Sequence, residues 1–181
     1  MDRRQRIISD LAGAPARVEP ETASALEATA DALHAGVASY CACAYAPQSL
    51  SEFAEMNPRT TFDRVAEMLR IHTETVDWLD ASTLALWCEA TATILLSRSL
   101  RSTERALMLT HELAHERRRR APHREVLYLT LALLLPRYLL EKIPTGRVVT
   151  GFGLQRVCPW PVPFELCEAR AAALRRSEFD D

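Results

Sequence analysis

The stretch LTHELAHERRRRAPHREV, Leu109 to Val126, holds two His/Glu groups on either side of four consecutive arginines. Up to the arginines it has helical periodicity. Ala106, Leu109, Thr110 and Leu113 fall on one face, while Met108, His111, His115 and Arg118 fall on another. Ser102 is the expected cap, which predicts a helix from Thr103 to about Arg119. Ala121-Pro122 breaks it, and a second helix is predicted from His123 to Leu135. Its run VLYLTLALLL is apolar nearly all round, so it must be buried on every side.

Ahead of this stretch, TLALWCE (Thr83 to Glu89) and TATILL (Thr91 to Leu96) are short runs rich in β-branched and aromatic residues, with a further candidate near Thr75 to Leu79. They predict a small antiparallel sheet ahead of the motif helix. Earlier still, Glu21 to Tyr45 reads as an alanine-filled helix, with His34 near its apolar stripe as a packed residue, and Thr60 to His72 as a second helix. Residues 1–20 read as a flexible arm. After Pro136 the glycines and prolines mark an irregular stretch with a strand near Val148-Val149, and Glu165 to Arg176 is expected to close the chain as a helix. The predicted class is α+β, with one domain over 21–181.

With 181 residues, 48% hydrophobic, 25% charged and a formal charge of −2, the chain can build one sizeable core. The charge balance gives no reason to expect nucleic acid or membrane partners. A helix-turn-helix over Ser49 to Leu69 is disfavoured by its long, proline-bearing turn. Asp10 interrupts what would be the apolar core of a secretion signal, and the longest apolar run falls far short of the ~20 residues that span a bilayer, so a cytoplasmic location is expected. Five scattered cysteines do not form a disulfide framework. Cys41 and Cys43 are close enough for a metal clip, but plain buried thiols fit better.

His111-Glu112-Leu113-Ala114-His115 is an HExxH. On a helix its two imidazoles share a face one turn apart and can converge on one Zn²⁺, while Glu112 lies one position round and can serve as general base. That division of labour is what metal-assisted hydrolysis requires. Paired surface charges on an ordinary helix are the plainer alternative, disfavoured because Leu113 and Ala114 half-bury the histidines. Glu125, His123 and Glu141 compete for the third ligand position. Glu125 is preferred because it opens the second helix, which points back if the two helices form a hairpin. Arg118 and Ala121 stand where a metzincin would carry its Gly and His, so that class is disfavoured. The arginines read chiefly as a solvated helix end, and Tyr128 and Tyr138 as core residues.

The run from Arg105 to Pro136 resembles the ImmA/IrrE family of zinc metallopeptidases, in which HELGH or HELAH precedes a helix reading roughly E-A-N-x-F-A-A-x-L-L-M-P. Glu125, Leu129, Ala132, Leu133, Leu134, Leu135 and Pro136 fall into that frame. The resemblance covers about a third of the chain closely. It implies a zincin-like fold, a Zn²⁺ cofactor, Glu125 as the third ligand, and limited proteolysis of a regulatory protein such as a transcriptional repressor. Val126 and Leu127 depart from the usual small and polar residues, and the gap of ten from His115 to Glu125 is short. A zinc-stabilised interaction module that cuts nothing is the alternative function.

Overall fold

The computed structural model describes residues 3–45, 61–80, 82–144 and 148–179. In chain order its elements are α1 (Arg3–Gly13), α2 (Pro20–Tyr45), α3 (Thr61–Met68), β1 (His72–Val76), β2 (Ala85–Cys88), β3 (Thr93–Ser97), α4 (Ser102–Arg117), α5 (His123–Leu134), α6 (Gly151–Val157) and α7 (Phe164–Phe179). The class is α+β. The expected strand at Val148-Val149 is irregular chain leading into α6. There Thr150 caps the helix by accepting from the Gly153 N–H at 3.1 Å. The side chains of Cys41 and Cys43, and most of the Ser49 to Leu69 stretch, lie outside the described residues.

Helix α5 organises the packing. Every residue from Val126 to Leu134 is buried, as the all-round apolar sequence requires. Full burial of each leucine contributes about 1.5–3 kcal/mol. Such a helix must still satisfy the carbonyls at its C-terminal end, and Pro136 prevents the chain from doing so by continuing. Three buried side chains from elsewhere complete the task. His34 Nε2 donates to Leu133 O at 2.9 Å, Trp160 Nε1 to Leu134 O at 2.9 Å, and Arg170 Nε to Leu135 O at 2.8 Å. Three successive carbonyls thus tie α5 to α2, to the segment before α7, and to α7 itself.

Arg170 reaches further, to a buried carboxylate. Its guanidinium grips Glu27 of α2 through both terminal nitrogens, Nη2 at 2.7 Å from Oε2, and Tyr128 of α5 donates its hydroxyl to Glu27 Oε1 at 2.8 Å. Burial alone would raise the Glu27 pKa, but Arg170, Tyr128 and Arg137 together outweigh it and hold the carboxyl below its usual value.

The sheet is mixed, not antiparallel, in the order β1-β3-β2. β3 pairs antiparallel with β2 (Leu86 opposite Leu95) and parallel with β1 (Glu74 opposite Leu95). Burial decides the order: β3 carries the fully buried Ile94 and Leu96 and takes the centre, whereas the polar β1, HTETV, takes an edge. Helix α3 ends at Met68, short of the expected His72. Arg70 adopts the left-handed conformation (φ 59°) and a Schellman pair, Ile71 N–H to Ala66 O and Arg70 N–H to Glu67 O, turns the chain into β1.

Residues 3–16 are helical, in contrast to the expected arm. Leu11 and Ala14 are wholly buried because α1 packs on α7. Cys88, Cys158 and Cys167 are unpaired thiols, and burial pushes Cys158 up to about 12 and Cys167 up to about 11, so both stay protonated.

Two stability measurements follow from this core. Arg170→Met leaves Glu27 as a buried charge short of its main partner and should cost about 3–5 kcal/mol in urea unfolding, whereas the paired Glu27→Leu/Arg170→Met replacement should lose markedly less. Burial pushes His34 down to about 4, so between pH 6.5 and pH 4 the unfolded chain binds a proton that the folded chain refuses. Stability is therefore full above pH 6.5 and falls as the pH drops towards 4, by on the order of 3 kcal/mol from this group. In urea titrations across that range His34→Gln should flatten the slope accordingly.

Candidate metal centre

The site is built on the α4–α5 hairpin. α4 begins one residue before the expected start: Arg101 is the cap, and its N–H donates to the Glu104 carboxylate at 2.7 Å, the reciprocal half of a capping box. Thr110, in the helix interior, satisfies its hydroxyl on the Ala106 and Leu107 carbonyls. The helix stops at Arg117. The Ala121 N–H then bonds to Arg118 O and the Glu125 N–H to Pro122 O, so Pro122 opens α5 after a tight turn.

This turn brings three histidines together. The ring centroids of His111 and His115 are 4.6 Å apart, those of His115 and His123 5.4 Å, and those of His111 and His123 5.8 Å. Two imidazoles sharing a zinc ion through nitrogens at ~2.0–2.1 Å in tetrahedral geometry have centroids about 5 Å apart, so the trio has the right size. Among the described residues no group of three or more His, Cys, Asp or Glu side chains is already arranged as a metal cage. One reason is visible in the rings: His115 and His123 lie stacked, 25° from parallel. Rotation of exposed His123 about its side-chain bonds is what convergence requires.

The tautomer of His111 can be worked out. Thr130 of α5 donates its single hydroxyl proton to Val126 O at 2.8 Å, and the same oxygen lies 3.3 Å from His111 Nδ1. With that proton committed, Thr130 must accept, so Nδ1 carries the hydrogen and Nε2 keeps its lone pair. A hydrogen-bonded Nδ1 with an open Nε2 is the arrangement that orients a ligating imidazole. Burial, followed by His115 and His123, pushes His111 down to about 3, and burial with His123 lowers His115. Both rings are therefore neutral at pH 7, the form that binds metal.

The other candidates are dispersed. Glu125 is largely buried and accepts a charge-assisted hydrogen bond from Arg118 Nη2, at the end of α4. Glu141 is exposed in the 3₁₀ segment Arg137–Lys142, beyond the far end of α5. Glu112 is partly exposed, one position round from His111. Tyr128 is committed to Glu27, and Tyr138 packs edge-on against His34 at 5.6 Å. The arginine run is less uniform than a solvated helix end. Besides Arg118 on Glu125, Arg119 pairs with Glu89 and, at 3.2 Å, with Glu116, and lies 5.8 Å over the Trp87 ring. These Arg119 contacts are exposed and worth well under about 1 kcal/mol each.

Thr130 is the residue that sequence reasoning overlooks. The one aliphatic hydroxyl in the run VLYLTLALLL is a buried group in need of a partner, and the i,i+7 spacing from His123 puts it on the same side of α5. In comparison with known proteins, no family model matches the chain, and no curated protein or solved structure gives a significant match.

Thr130→Val keeps the shape and removes the acceptor for His111 Nδ1–H. Zinc affinity, measured by competition with a chromophoric chelator, should fall about 10- to 100-fold while circular dichroism stays unchanged.

Proposed function

We propose that the chain is a zinc-dependent endopeptidase of zincin-like layout that carries out limited proteolysis of a regulatory protein. The observation that carries the reading is the pairing of an HExxH helix with a buried second helix whose Thr130 holds the His111 tautomer that leaves Nε2 open. The resemblance of HELAH and the following helix to the ImmA/IrrE metallopeptidases points the same way. His111 and His115 would hold the ion, with a third ligand from the first turn of α5. Bound zinc supplies an acidified water and a polarised scissile carbonyl. Glu112 then takes the proton from the attacking water and delivers it to the leaving amide nitrogen, so that bond formation to carbon and loss of the amine are both assisted by one carboxylate.

A second reading, a zinc-stabilised interaction module without proteolysis, draws on one observation. Of the two tyrosines nearest the motif in sequence, Tyr128 gives its hydroxyl to Glu27 and Tyr138 sets its ring edge-on against His34. Glu112→Gln separates the readings. Under the peptidase reading this variant keeps about one zinc per chain and loses cleavage of a repressor-type substrate by 10²-fold or more. A wild type whose partner binding needs zinc, with no cleavage product on mass spectrometry, supports the module instead.

A further inference from the structure

The geometry points to His123, and not Glu125, as the third zinc ligand, with Glu125 serving as a positioning residue that clasps the hairpin through Arg118. This inference rests on the zinc reading above and deepens it.

The face of α5 turned towards the motif is identified by one contact, Thr130 on His111. His123 lies seven residues before Thr130, and seven residues are about 700°, within about 20° of two full turns. His123 therefore shares the face of Thr130, and its ring stands 5.4 and 5.8 Å from the other two imidazoles. Glu125 is two residues from His123, about 200° round the helix. The two side chains thus leave α5 on nearly opposite sides, and both cannot address one ion without unwinding the first turn.

Glu125 also has other work. Its carboxylate takes the Arg118 guanidinium in a partly buried, charge-assisted bond that spans the turn between α4 and α5. Its Oε2 is taken by Arg118, so a metal on the remaining oxygen would share the carboxylate with a guanidinium whose Nε is a buried donor with no partner. That cation would then stand beside an incoming divalent ion. With Arg118 held by Glu125, the hairpin closes tightly enough for His123 to meet His115 across the turn. The resulting set is three imidazoles with a fourth position open, the donor number of a catalytic zinc site.

The test uses the full chain and Zn²⁺ itself. Zinc affinity is measured by chelator competition for wild type, His111→Ala, His123→Ala and Glu125→Gln, with thermal unfolding as a control. His123→Ala should lose at least 100-fold, matching His111→Ala, while Glu125→Gln, which can still accept from Arg118, stays within about 10-fold. Long-range ¹H–¹⁵N spectra of the wild-type imidazoles provide a second measurement that needs no variant: added Zn²⁺ should shift one ring nitrogen of His111, His115 and His123 alike. Full affinity in His123→Ala with collapse in Glu125→Gln, or a His123 ring unmoved by zinc, overturns the assignment alone. A wild type that binds no zinc overturns the zinc reading and this assignment together.

Discussion

An apolar helix buried on all sides cannot leave its final carbonyls unpaired, and that requirement shapes the protein. His34, Trp160 and Arg170 each reach α5 from a different part of the chain and donate to successive carbonyls, Leu133, Leu134 and Leu135. An unpaired buried backbone group costs about 1–3 kcal/mol, so the three bonds matter chiefly for the penalty they avert. They also fix direction. Hydrophobic burial is non-directional and would tolerate α5 turned about its axis, whereas three hydrogen bonds at one end do not.

The hairpin partner, α4, is controlled from the opposite end. There the Arg118–Glu125 pair and the short turn through Pro122 set how closely the first turn of α5 approaches the HExxH face. Between these two ends sits Thr130, the one threonine in a leucine-rich run. It bonds back to Val126 and presents its oxygen to His111. Core packing, turn geometry and imidazole orientation thus meet on a single helix.

Local features were readable from sequence because they depend on neighbours along the chain. Helical spacing of His111 and His115, the break at Pro122 and the buried character of VLYLTLALLL all came from windows of a few residues. Long-range choices were not. The parallel pairing of β1 with β3 depends on which strand wins the centre, and the docking of α1 depends on α7, more than 150 residues away. A Gly-Ala-Pro stretch at residues 13–15 looks like the root of a loose arm until Leu11 has a partner to bury against. Glu125 is the ligand that local order favours, and nothing local reveals that Arg118 pairs with it. Its angular offset from His123 is readable in the spacing, whereas the side of α5 that faces the motif is marked only by the contact of Thr130 with His111.

The capping of α5 at its C-terminal end has a consequence for how the site would tolerate change. The helix is 12 residues long, about 18 Å, and its clamped carbonyls act as the origin from which the angular position of every upstream residue is counted. Substitutions within it alter volume but leave that phase untouched. Losing or gaining one residue between His123 and Leu133 would swing His123 by about 100° even if every leucine remained leucine. In this fold, length between the cap and the histidine is a stricter constraint than identity, and drift in the apolar run should be far freer than any insertion or deletion.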